Sequence, residues 1–149
     1  MITAKITGMK KYVTPVIVML ISLSALAVLP FSGCASEDEP IRIHIRADSD
    51  SDVDQAIKHV VRDKIVEYLT PRVGSARSRA EAYRIVKSCA GEAEDIAEDI
   101  LSACGFGYGA NAYVARETFP DRTYGDVTYP AGEYDALIVE LGSGEGANW

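Results

Sequence analysis

The sequence predicts an α+β domain: a small, mostly antiparallel sheet with two or three helices packed on one face, in the order β-α-α-β-β(-β). Three observations predict it. A short alternating segment near residue 41 comes first, two long stretches of helical periodicity follow, and the last third turns to β-rich runs punctuated by Pro and Gly. Strands at both ends with helices between them pack most simply as helices against one sheet face. The 149 residues are enough for one ordinary domain once an export segment is set aside.

Residues 1–33 read as an address. Lys10 and Lys11 give a positive start, Val13 to Leu29 is uncharged and largely apolar, and Ser32-Gly33-Cys34 supplies small residues at its end. That order is a secretory signal. Phe31-Ser32-Gly33-Cys34 looks like a bacterial lipobox, in which Cys34 would carry a diacylglyceryl group, although Phe31 replaces the usual Leu. An uncleaved membrane anchor is the alternative, the run of 17 residues being at the short end for a bilayer span. Residues 34–40 then form an acidic spacer, and 41–149 a single domain.

Within that domain Ile41, Ile43, Ile45 and Ala47 alternate with Arg42, His44 and Arg46, the pattern of a half-buried strand. Asp48-Ser49-Asp50-Ser51-Asp52 signals a helix start, with Ser51 and Asp54 spaced as a capping box. Val53, Ala56, Ile57, Val60, Val61, Ile65, Tyr68 and Leu69 carry the helix to Thr70, where Pro71 is expected to end it. Asp54, Lys58 and Arg62 lie four apart on it. A second helical stretch opens at Ser78 with Glu81 as box partner and runs in one apolar phase to Leu101 and Cys104. It is either one helix weakened at Gly91 or two abutting ones, and Gly105 stops it. Asn111 to Phe119, Val127 to Tyr129 and Tyr134 to Leu141 read as strands, with a turn at Pro130-Ala131-Gly132. Gly142 to Gly146 reads as a flexible polar tail leading to Trp149.

Charge excludes one class of function. Lys5, Lys10 and Lys11 precede Cys34, so the remaining 12 basic residues face all 22 acidic ones, a net of −10. Such a surface is repelled by nucleic acid and by anionic headgroups. No metal or organic cofactor is expected either. Asp48, Asp50 and Asp52 imitate the opening of a calcium loop, but its glycine and glutamate positions hold Val53 and His59. The glycines at 142, 144 and 146 have no following helix to make a phosphate site. Cys89 and Cys104, about 22 Å apart on a continuous helix, exceed the roughly 7 Å a disulfide spans, and both read as buried small hydrophobes.

His44 stands between two arginines, which disfavour its protonated form, so it could act as a base with Ser49 and Asp50 nearby in sequence. No oxyanion hole is visible, and serine beside acids at a helix start more often caps. The aromatics of the last third serve either the core or an interface; Tyr124 in a loop and Trp149 in a tail are the ones placed to meet a partner.

The runs Ile41-Arg42-Ile43-His44-Ile45, Asp48-Ser49-Asp50-Ser51, Asp54-Gln55, Lys58 and Val61-Arg62-Asp63 resemble the opening signature of the stage II sporulation protein R family. Tyr124-Gly125-Asp126-Val127-Thr128-Tyr129-Pro130-Ala131-Gly132-Glu133-Tyr134 is similar to its second signature. Gly144-Glu145-Gly146-Ala147-Asn148-Trp149 is similar to the start of its third. Asp48 departs from the usual asparagine and Arg46 from an apolar residue. Members commonly continue past Asn-Trp, so the resemblance implies a domain shortened at its C-terminus.

The resemblance implies an exported signal of endospore formation, membrane-associated in the space between forespore and mother cell. There it would activate a membrane-bound aspartic protease that processes the mother-cell sigma-factor precursor. It implies no catalysis and no small-molecule ligand. The partner-recognition candidates are Tyr124, Gly125, Asp126, Gly132, Glu133, Tyr134, Glu145, Asn148 and Trp149. A polar cluster of His44, Asp48, Ser49, Asp50, Asp54, Gln55, Lys58, Arg62 and Asp63 supports structure or function. The alternatives are an exported hydrolase using His44 with neighbouring acids, and a purely structural spore lipoprotein. Convergence of His44, Asp50 and Arg62 in one pocket would favour the hydrolase.

Overall fold

The computed structural model describes residues 39–147. β1 (Arg42–Arg46) leads into three helices, α1 (Asp52–Val73), α2 (Arg79–Ser88) and α3 (Ala90–Ala103). β2 (Ala110–Phe119), the short pair β3 (Arg122–Tyr124) and β4 (Val127–Tyr129), and β5 (Gly132–Leu141) complete the chain. β5 is the centre of a three-stranded sheet ordered β1-β5-β2, and β3 and β4 form a separate two-stranded ribbon. The β2–β5 and β3–β4 pairs are antiparallel. β1 joins β5 in parallel, with Arg42 opposite Ala136 and Arg46 opposite Glu140. A crossover through the helices and β2 is what permits that parallel pair. The expected α+β architecture is present, with the helices on one sheet face.

Alternation along the strands sorts the two faces. Leu137, Val139 and Leu141 of β5 join Ile45 of β1 and the helical residues Ile57, Val61, Ile65, Val86, Ala93, Ala97 and Leu101 in the main core. On the opposite face Ala136 and Ile138 form a smaller cluster with Phe119 and Tyr134. β5 is thus buried on both sides, which explains its unbroken run Ala136-Leu137-Ile138-Val139. Among the described residues, no helix is long and apolar enough to cross a membrane.

Two local expectations are corrected and one open alternative is decided. α1 does not stop at Thr70 but carries Pro71 to Val73, and the Gly74 amide bonds to Thr70 O. A proline in the last turn removes a single N–H, and continuing the helix lets Val73 pack beside Leu69 at the core. The second helical stretch is two abutting helices, one of the two expected forms, divided at Cys89 (φ −91°, ψ 2°) with Gly91 inside α3. Cys89 is buried, whereas Cys104 is exposed. Cys104 caps α3 just past Leu101, where the Gly105 amide bonds to Ser102 O and the Phe106 amide to Leu101 O. Gly105 has φ +79° there. This is a Schellman stop, which turns the chain away and leaves the cap residue in solvent.

Candidate functional site

Two constellations surround the start of α1. The first is a clasp. Ser51 caps the helix: its Oγ accepts from the Asp54 amide (3.1 Å) and donates to Asp54 Oδ2 (2.8 Å). Ser49 Oγ donates to the same oxygen, and Tyr108 Oη donates to Oδ1 at 2.6 Å. The Asp54 side of the capping box therefore gathers hydroxyls instead of reaching back to the cap amide. Asp54 is only 9% exposed. The Ser49 and Tyr108 hydrogen bonds, helped by Ser51, hold its carboxyl below the ordinary value against the opposing effect of burial. Burial and the Asp54 charge push the Tyr108 phenol up.

The same loop grips the glycine-rich segment that follows β5. Asp48 Oδ1 accepts from the Ser143 amide (2.6 Å), and Asp48 O from Ser143 Oγ (2.8 Å). Ala47 O accepts from the Gly146 amide (2.9 Å), and Asp50 Oδ1 from the Ala147 amide (2.5 Å). Gln55 Nε2 donates to Ser49 O (3.0 Å) and Ala147 O (3.4 Å). The expected flexible tail is thus overturned as far as Ala147. Its glycines serve close approach: a Cβ on Gly146 would stand 2.6 Å from Ser49 O, and one on Gly142 would overlap the Asp48 carboxylate. Glu145 is exposed on this segment. Cys34, Asn148 and Trp149 lie outside the described residues.

The second constellation is a groove of about 340 Å³ along the outer side of β1. Residues Arg42 to Ile45 form its floor, Lys58, His59 and Arg62 of α1 one wall, and Thr118 to Pro120, Arg122 and Tyr124 the other. Both histidines and four cations line it, and no described acidic residue does. The Arg42 guanidinium lies among the rings of Phe119 (4.8 Å), Tyr134 (5.3 Å), Tyr129 (5.7 Å) and Tyr124 (5.9 Å). Its Nη1 is buried with no hydrogen-bond partner among the described residues. Lys58 is 6% exposed, and its ammonium reaches Gln55 Oε1 and Ala147 O (3.5 Å), both neutral. Burial lowers its pKa against the pull of Asp50, and Arg62 adds to the lowering.

His44 does not meet the groups that would make it a base for Ser49. Its Nδ1 lies 2.5 Å from Glu117 Oε2, and its ring 5.4 Å from Phe119. Glu117 also pairs with Arg46, which bonds to Glu140 at 2.6 Å. Burial would raise the Glu117 carboxyl, but the His44 hydrogen bond and charge, with Arg46, hold it below its ordinary value. Ser49 is committed to Asp54, and Asp50 faces Ala147 instead of the groove. Of the three groups whose convergence would favour a hydrolase, only His44 and Arg62 share the groove. Among the described residues no three His, Cys, Asp or Glu side chains gather to hold a metal.

The remaining sequence candidates separate. Tyr124 is 60% exposed at the groove, and Gly125 (φ +59°) with exposed Asp126 forms the turn between β3 and β4. Gly132 opens β5, and Glu133 is exposed 3.6 Å from Arg116. Tyr134 is buried with its hydroxyl donating to Pro130 O at 2.7 Å, so it supports the ribbon from beneath. Asp63 is an exposed partner of Arg62. Sequence reasoning missed Arg42, His59, Phe119 and Arg122 as members of one groove, and Glu117 as the partner of His44. They carry no local signal of a shared site, since they meet only across the fold.

The comparisons bear on the same residues. The stage II sporulation protein R family matches over residues 37–149, which takes in both the clasp and the groove. Stage II sporulation protein R of Bacillus subtilis (strain 168) is 38% identical over 112 residues, covering 75% of this chain and 50% of that protein. The chain thus spans about half the length of this curated relative. No solved structure matches. With the first and third signatures clasped together and the second forming the ribbon beside the groove, the chain belongs to the stage II sporulation protein R family, a family of sporulation proteins.

Proposed function

We propose that the protein is an exported signal of endospore formation that switches on a membrane-bound aspartic protease by binding it, the protease then processing the mother-cell sigma-factor precursor. The observation that carries the reading is the groove. Four cations and the rings of Phe119 and Tyr124 stand in its lining, arginine and tyrosine being residue types that anchor protein interfaces, while Ser49, the serine nearest His44 in sequence, is bonded to Asp54. Such a lining supports a role in recognition, and the polar groups beside it are occupied in holding the fold. The signal-like residues 1–33 and the lipobox-like Cys34 support delivery across the membrane and retention there by a lipid.

The test is reconstitution. Vesicles carrying the protease and its precursor substrate are given the purified domain, and cleavage is followed with time. Cleavage that depends on the domain, at a rate saturating with its concentration, is the expected result. Cleavage indifferent to it would remove the reading. Attachment is tested separately: Cys34→Ala should lose metabolic fatty-acid labelling, and equal labelling of both forms would leave export without a lipid on Cys34.

A further inference from the structure

β1 is an edge strand, so alternate residues turn a backbone N–H and C=O away from the sheet. The opposite edge is partly closed, because the Ala112 amide of β2 donates to Glu94 at 2.8 Å. The far end of β1 is taken as well, Ala47 O being bonded to Gly146. What stays open is the stretch from Arg42 to Ile45 that floors the groove. An extended peptide laid on such an edge gains main-chain hydrogen bonds and sends alternate side chains to opposite walls. Both walls carry cations here: Lys58 and Arg62 on α1, Arg122 beyond the strand.

Lys58 is buried with neutral hydrogen-bond partners only, and Arg42 Nη1 is buried with none among the described residues. A buried guanidinium N–H without a partner is costly, so a carboxylate arriving at Arg42 relieves that cost as well as adding its own attraction to the cations of the walls. We propose that the groove seats an extended acidic segment of the partner protein, added as a further strand on the free edge of β1. This rests on the reading of the protein as a signal that works by binding, and it supplies the chemistry of the partner's contacting segment.

The probe is a capped, fluorescent octapeptide alternating Glu and Thr, titrated by anisotropy into the purified domain. Arg62→Glu with Arg122→Glu should weaken it at least about tenfold, as should Gln in place of Glu or N-methylation of alternate peptide amides. Arg84→Glu, on the exposed side of α2, should leave affinity unchanged. Thermal unfolding checks that the double variant is folded, and Arg62→Gln with Arg122→Gln replaces it if not. Undiminished binding by the folded double variant overturns the proposal. So does displacement by inorganic phosphate combined with indifference to N-methylation, which would mark an anion site without strand pairing. The cleavage assay separates the two readings. If wild type fails to stimulate, the signalling reading falls while the peptide titration still judges the groove. If the double variant stimulates like wild type, the groove is not the partner's seat although signalling stands.

Discussion

At the scale of single residues, Asp54 and Tyr124 show how differently two polar candidates behave. Asp54 receives three hydroxyls in a nearly closed site, so its ionised form is favoured by folding. With the folded carboxyl held below an unfolded value of about 3.9, its stabilisation is complete above that value and is lost as pH falls through the folded one. Asp54→Asn should cost about 2 kcal/mol near pH 7 and progressively less below about pH 4, read by urea unfolding at both. A penalty that does not change with pH would mean that shape, not charge, is what the hydroxyls need. Tyr124 stands 60% exposed with its ring against Tyr129 and Arg42. Tyr124→Ala should change stability by no more than about 0.5 kcal/mol. On the proposed signalling role, loss of an interface anchor worth about 2 kcal/mol should slow precursor cleavage about thirtyfold at sub-saturating concentration. If the variant unfolds instead, Tyr124 is part of the frame that holds Arg42. The helix-start residues were legible in sequence because capping is a local affair of three or four positions. The aromatic frame around Arg42 was not, since Phe119, Tyr129 and Tyr134 reach it only after two strands and a ribbon have folded.

At the scale of elements, periodicity located β1, the helical stretches, β2, β4 and β5, and it failed where tertiary contacts overrule a local rule. Pro71 stays helical because Val73 gains a place at the core. β3 has only three residues and exists by pairing with β4, Arg122 opposite Tyr129 and Tyr124 opposite Val127, so no pattern of its own announces it. The segment after β5 is the largest failure. Glycine, serine and glutamate suggest a free tail, yet the same glycines are what let its backbone lie against Ala47 and Ser49. Gly146→Ala tests this, because its Cβ would face two backbone oxygens, at 2.6 and 2.9 Å, that cannot step aside as a flexible side chain could. The substitution should cost about 2 kcal/mol and accelerate amide exchange at Ser143 and Ala147 well beyond the change at β5. Exchange at those amides equal to wild type would show that the clasp tolerates a side chain there.

At the scale of the whole molecule, a domain of net charge −10 presents a cationic groove, so an acidic peptide meets repulsion at long range and attraction at short range. Screening reaches about 30 Å at 0.01 M salt and about 8 Å at 0.15 M. Affinity for the Glu-Thr peptide should therefore rise with the first additions of salt, pass a maximum and then fall, as an anisotropy series in sodium chloride would show. A fall at every step would mean that the groove dominates at all distances. The parallel pairing of β1 with β5 has a consequence for timing. The central strand of the sheet is the last of the described strands in chain order, and β1 and β2 have no sheet partner until Gly132–Leu141 arrives between them. A chain delivered N-terminus first, from a ribosome or through a secretion channel, cannot close its sheet while that strand is still behind it. If the chain is exported as proposed, this topology leaves closure of the sheet, and with it assembly of the groove, to the side on which the chain emerges.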